Sequence, residues 1–361
     1  MITYFTSESV TDGHPDKICD QIADTILDAA LAVDPNSHMA VEATIKDNFI
    51  LVYGEANTKA NLDYEELAKA VLKKIGYTED YEVLVKVSTQ SSEINQAVIH
   101  SETAAGDQGI MFGYACDETP ELMPLPIMLA HKLAKRLSDL KQKYTFLKPD
   151  GKSQVTVAYE DGKPLYVSSI IVSAQHEAQI EQSTLRELII NEVINEVIPS
   201  SYLTDDTIIL VNPSGSFVLG GPFGDSGTTG RKIVVDTYGG MSRIGGGCFS
   251  SKDPSKVDRS AAYYARYVAK NIVARKLASK CEIQLSYAIG VSEPISVFIE
   301  TFGTETTSIK EIKQFIAKNF NFNVRSMIDE LQLKRPIYAK TAAFGHFGRE
   351  EFSWEKIKTT D

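Results

Sequence analysis

The hydrophobic positions of this chain fall into a rhythm of helix, hairpin and helix that returns three times. From Asp16 to about Val33, Ile18, Ile22, Ile26, Leu27 and Ala30 recur on one face at helical spacing. Alternating strands follow at Val41–Ile45 and Ile50–Tyr53, joined by Lys46-Asp47-Asn48, and a helix at Asn61–Ile75 is stopped by Gly76. The second round predicts a helix at Leu125–Lys141, strands at Gln154–Tyr159 and Leu165–Ser173 across an Asp161-Gly162-Lys163 turn, and a helix at Glu177–Val197. The third predicts a helix at Val257–Ala278, strands at Glu282–Ile289 and Ile295–Phe302 around Pro294, and a helix at Ser308–Asn319. The copies are too long for a solenoid. They predict an α+β fold of three similar subdomains in a pseudo-threefold arrangement, each a mostly antiparallel sheet covered by helices on one face. The expected divisions are 1–100, 101–220 and 221–361. An α+β chain without repeats can also be cut in this way.

Composition narrows the function. A length of 361 residues suits two or three domains, and a net charge of −11 argues against general nucleic-acid or membrane-surface binding. The start of the chain shows no basic and then apolar leader pattern, and no window approaches the run of about 18 apolar residues that a membrane helix needs. The four cysteines, Cys19, Cys116, Cys248 and Cys281, lack CxxC spacing, so reduced thiols in the cytoplasm are expected.

Chemistry concentrates in three stretches. Ser7–Lys17 packs polar groups before a helix, with Pro15 suited to the first turn. His14, Asp16 and Lys17 then sit where a helix N-terminus favours anions. The plainer reading is a cap made by Asp12 or Asp16, with His14 incidental. In Gly220–Lys232, Gly224, Gly227 and Gly230 allow backbone amides to approach a phosphate, and Arg231 and Lys232 add a fork and a point charge. Neither GxxxxGK[ST] nor GxGxxG is present, and a flexible surface loop is the alternative. Between Arg231 and Arg259 the bases outnumber the acids two to one in an otherwise acidic chain, and Gly245-Gly246-Gly247 lies among them. Cations beside glycines point to a polyanion site. Asp16 and Asp258 are spare carboxylates that could hold Mg²⁺.

Gly13–Lys17, Gly106-Asp107-Gln108-Gly109, Gly220–Lys232, Gly245–Arg259 and Gly345–Arg349 resemble, in order, the signature segments of the methionine adenosyltransferase (S-adenosylmethionine synthetase) family. The resemblance covers nearly the whole chain. It implies a transferase joining ATP to L-methionine by sulfur attack on C5′, followed by hydrolysis of the tripolyphosphate to phosphate and diphosphate. The implied catalytic residues are His14, Lys152, Arg231 and Lys252. ATP contacts fall to these and to Asp150, Phe217 (stacked on adenine), Asp225, Lys232 and Cys248. Methionine contacts fall to Glu55, Gln90, Asp107, Asp225 and Lys256. The implied cofactors are two Mg²⁺ per site, at Asp16 and Asp258, and K⁺ near Glu42. Gln90–Gln108 resembles a gating loop. A homodimer with shared sites is implied, with pairing of dimers open.

The chain departs from the family pattern at Ser216 (commonly Arg), Cys248 (Ala), Ser251 (Gly), Ile244 (His) and Gly151 (Ala). None removes an implied magnesium ligand or phosphate-binding lysine. A catalytically dead nucleotide-binding regulatory subunit, or a kinase that phosphorylates methionine, are the rival readings. Cys248 reads as a small buried hydrophobe. His38, His100, His131 and His176 read as surface or packing residues, His346 as part of a structural turn, Tyr263, Tyr264 and Tyr267 as core or interface, and Trp354 as an anchor for the C-terminal tail.

Overall fold

The computed structural model describes residues 1–89 and 104–359. Each third of the chain opens on a strand and continues as helix, hairpin, helix. The first holds β1 (Ile2–Val10), α1 (Pro15–Val33), β2 (His38–Lys46), β3 (Phe49–Asn57), α2 (Tyr64–Ile75) and β4 (Glu82–Ser88). The second holds β5 (Gly109–Cys116), α3 (Leu125–Leu140), β6 (Leu147–Glu160), β7 (Lys163–His176), α4 (Gln182–Ile189) and β8 (Ile208–Val211), with α4 prolonged by a π-helical turn at Ile190–Ile194. The third holds β9 (Gly227–Thr228), α5 (Val257–Ala274), β10 (Lys280–Tyr287), β11 (Ser296–Glu300), α6 (Ile309–Asn319) and α7 (Val324–Glu330).

Three sheets result, with strand orders β4-β3-β2-β9, β1-β6-β7-β8 and β11-β10-β5. The opening strand of each third leaves its own unit. β1 pairs with β6, β5 with β10 and β9 with β2, so the first third lends a strand to the second, the second to the third and the third to the first. Within each sheet the hairpin is antiparallel, as its turn signals predict. β3 to β4 and β7 to β8 are parallel, because α2 and α4 carry the chain back as crossovers.

Local chemistry sets the boundaries. α2 begins at Tyr64, three residues later than expected, because the Asp63 carboxylate caps it by accepting the Glu66 N–H at 2.9 Å. Gly76, in the left-handed region at φ 114°, ends it as expected. α4 begins at Gln182 rather than Glu177, since Glu177 spends its N–H on the Phe146 carbonyl. α5 stops at Ala274, and Lys276 turns the chain with φ 59°. Ser308 and Glu311 form a reciprocal capping box on α6. β2 alternates buried and half-buried residues, with Met39, Val41, Ala43 and Ile45 facing the core beneath α1. A second core lies between α3, α4 and the β6–β7 hairpin. Tyr263, Tyr264 and Tyr267 are buried, and Trp354 stacks on Tyr263 at 3.9 Å and donates to the His346 carbonyl.

Candidate active site

The start of α1 organises the site. Proline at N1 holds the preceding residue in extended backbone, and His14 takes that conformation (φ −65°, ψ 136°). The cap is His14 itself, not Asp12 or Asp16: its Nδ1 accepts the Asp16 N–H at 3.2 Å. Asp12 instead accepts from Ser138 and Lys141. His14 is buried, and desolvation, then the Lys232 charge, lowers its pKa to about 3. Lys152, reached through the pairing of β6 with β1, adds to that lowering. The ring is therefore neutral. With Nδ1 accepting, the proton sits on Nε2, which becomes a donor.

Asp16 is also buried. Its Oδ1 accepts the Thr228 N–H at 3.0 Å, its Oδ2 takes the Lys232 ammonium at 2.6 Å, and Arg231 lies 3.6 Å from Oδ1. Burial works against ionisation, but the Lys232 and Thr228 hydrogen bonds outweigh it and hold the carboxyl below its ordinary range.

Further along α1 the same face carries Asp20, Asp24 and Asp28, one every four residues. Asp20 accepts the Gly230 N–H at 2.8 Å and pairs with the buried Lys17 at 2.9 Å. Lys17 also pairs with buried Asp236, whose carboxyl burial pushes up to about 7 against the pull of that ammonium. Asp24 takes Arg259 through both oxygens at 2.7 Å and accepts from Ser250 and the Ser251 N–H. Asp28 accepts the N–H groups of Tyr338 and Ala339. One helix face thus anchors the phosphate-loop candidate, the glycine-rich segment and the C-terminal turn.

The loop itself runs close against its supports. Gly230 has φ 81°, and a Cβ there would lie 2.6 Å from Cys248 Cβ. Cys248 is half-buried, and burial raises its thiol pKa, so it packs rather than reacts. It sits against Gly230 on one side, and its thiol faces the Ser250 carbonyl. Lys252 pairs with Asp258, and Glu42 accepts the Tyr53 hydroxyl at 3.1 Å. At the loop's other end Asp150 Oδ2 accepts the Gly221 N–H at 2.8 Å. Asp150 Oδ1 is buried without a partner, and burial raises the pKa of that carboxyl. The Phe217 backbone is fastened to His176 on both sides: its N–H donates to Nε2, and its carbonyl accepts the His176 N–H.

The structure therefore brings together His14, Asp16, Lys152, Arg231 and Lys232, with Asp150 beside them, while Lys252 and Asp258 form a separate pair and Glu42 is held by Tyr53. Among the described residues, those implied for methionine do not join by direct contact. Lys256 pairs with Asp253, Asp225 and Asp107 are exposed and cap their own next residues, and Glu55 is exposed on β3. Gln90 and His100 lie outside the described residues, as does most of the gating-loop candidate, whereas Gln108 is exposed within them. His131 and His346 are buried, each with Nδ1 bonded to a hydroxyl (Ser9 and Tyr263). Sequence reasoning missed the three further aspartates of α1. The signal was there: DxxxDxxxDxxxD on a helix whose other faces are apolar.

Among the described residues no group of three His, Cys, Asp or Glu side chains could hold a metal by itself. Single carboxylates beside lysines, as at Asp16 and Asp258, fit a Mg²⁺ that completes its shell with phosphate oxygens and water.

Models of the three domains of S-adenosylmethionine synthetase match the chain in order: the N-terminal domain at residues 2–101, the central domain at 102–217 and the C-terminal domain at 219–356. The chain belongs to the S-adenosylmethionine synthetase family. It is 52% identical to the S-adenosylmethionine synthase of Sorangium cellulosum over 98% of its own length and 87% of that protein's. With the synthase of Myxococcus xanthus the identity is 50%, covering 98% and 92% of the two chains. With that of Treponema denticola it is 49%, covering 100% and 97%. Its activity is that of a methionine adenosyltransferase.

Proposed function

We propose that the cluster at the start of α1 binds the triphosphate of ATP while methionine sulfur attacks C5′. A sulfur lone pair forms the S–C5′ bond. The C5′–O bond breaks with its electrons passing to the triphosphate, and a sulfonium is left. Sulfur needs no general base, so the barrier falls by in-line holding and by charge stabilisation on the departing oxygen. His14, as an Nε2–H donor, and Lys152 serve that oxygen. Arg231, Lys232 and Lys252 hold the remaining phosphate charge, and Cys248 packs behind the loop that carries Arg231 and Lys232. Asp150 and Phe217 take the adenosine end. Glu55, Gln90, Asp107, Asp225 and Lys256 serve methionine. Asp16 and Asp258 would hold the two Mg²⁺, which neutralise phosphate charge when bound, and Glu42 would hold K⁺. Water then splits the tripolyphosphate into phosphate and diphosphate.

The proposal extends to assembly: the chain divides near residues 100 and 220, and two copies share their sites. Exposed Tyr4, Leu84, Ile110, Ile208 and Phe298 on the three sheets support a homodimer.

The observation that carries this reading is the convergence of segments 13–17, 150–152 and 228–232, far apart in sequence, on one helix N-terminus beside a buried neutral histidine. The test is incubation with ATP, methionine and Mg²⁺ and identification of products by mass spectrometry. A sulfonium with equal phosphate and diphosphate is expected. Phosphorylated methionine, or ATP binding without turnover, would overturn it.

A further inference from the structure

Tyr77 belongs to none of the segments that carry the chemistry, yet two of them meet at its hydroxyl and a third is tied to that junction. It follows Gly76 at the end of α2, where its N–H donates to the Leu72 carbonyl at 3.0 Å, so its backbone is fixed by the helix terminus. Its ring is buried. Its hydroxyl donates to the Gly13 carbonyl at 2.8 Å, immediately before the capping His14. The same hydroxyl lies against Gly221: a Cβ there would sit 2.0 Å from the oxygen, and Gly221 has φ 59°. Gly221 in turn donates to Asp150. Pro149 closes the triangle, since a Cβ on Gly13 would lie 2.4 Å from both its Cβ and its carbonyl oxygen.

We infer that Tyr77 is a positioning residue for the ATP half of the site, fixing the spacing between His14 and the Asp150–Gly221 pair. This rests on the ATP reading above. A phenol suits that position, because burial keeps the hydroxyl protonated and so a donor through the neutral range. The contact is steric on one side and a hydrogen bond on the other. A shift of the ring therefore moves both segments, and small misplacements of this kind lower rate steeply.

Tyr77→Phe in the full-length protein removes only the hydroxyl. The expected result is a loss of about 3- to 30-fold in kcat/KM for ATP, while kcat/KM for methionine at saturating ATP changes less, and the far-ultraviolet spectrum is unchanged. Gly221→Ala pushes on the same junction from the opposite side and should give the same ATP-selective signature. Unchanged ATP kinetics in Tyr77→Phe would overturn the inference. So would equal losses for both substrates, or loss of folded protein in both variants, since each marks a merely structural tyrosine. A wild-type protein that fails to turn over ATP with methionine would sink the ATP reading itself, an outcome distinct from a normal wild type matched by its Tyr77→Phe variant.

Discussion

The Nδ1 atom of His14 accepts the Asp16 N–H, and that bond fixes what the ring can do. A histidine whose pKa is lowered to about 3 takes up a proton only as the pH falls through that value, so between pH 5 and 8 its charge does not change. Desolvation is the main cause, and the cations around the ring reinforce it. Nitrogen-15 NMR of the ring, assigned with a His14→Gln variant, should show an Nε2-protonated tautomer with no titration across that interval. A midpoint near the ordinary 6.5 would remove the neutral donor from the proposed chemistry. At this scale the sequence was informative where residue types cluster. His14, Asp16, Arg231 and Lys232 stand in short motifs whose charge and glycine content are unusual. It was silent about Asp236 and Tyr77, because their partners lie far along the chain and nothing local marks the pairing.

Helix α1 shows why an element can be found while its purpose is missed. Ile18, Ile22, Ile26, Leu27 and Ala30 reveal the apolar face, and the helix spans Pro15–Val33, close to expectation. The aspartates at every fourth residue went unread, yet Asp16, Asp20 and Asp24 are buried. Their roles differ, and so should their costs. Asp24 neutralises Arg259, which is also fully buried. Asp24→Asn leaves that guanidinium uncompensated and should destabilise the fold by about 3–5 kcal/mol. Among the described residues Asp28 accepts from two backbone N–H groups, and burial pushes its carboxyl up to about 6 despite them. Asp28→Asn keeps one oxygen acceptor and should cost about 1 kcal/mol. Urea denaturation of the two variants measures the contrast. Equal losses would mean that the stripe acts as a uniform polar face rather than as separate anchors.

Across the whole molecule, the repeat was legible from periodicity, but the exchange of opening strands was not. β9 is two residues long and carries no pattern, and β1 finds β6 some 150 residues away, with Ile2 opposite Glu160. The exchange ties the three thirds into a ring, so the site segments on α1, β6 and the loop before α5 hold their mutual positions. It leaves apolar residues exposed on the sheets, and one of them bears on the site: Ile110 follows Gly109, which packs against Asp258. If two copies share their sites, as proposed above, a second copy meeting this strand would lie near Asp258. If Asp16 of one copy and Asp258 of the other then serve the same triphosphate, the Asp16→Asn and Asp258→Asn variants should each be inactive alone. Unfolded and refolded together, they should regain about a quarter of wild-type activity, since half of the dimers formed are mixed and each carries one intact site. Recovery should grow with the mixed-dimer fraction measured by native mass spectrometry. Mixed dimers without recovery would mean that both carboxylates act within one chain.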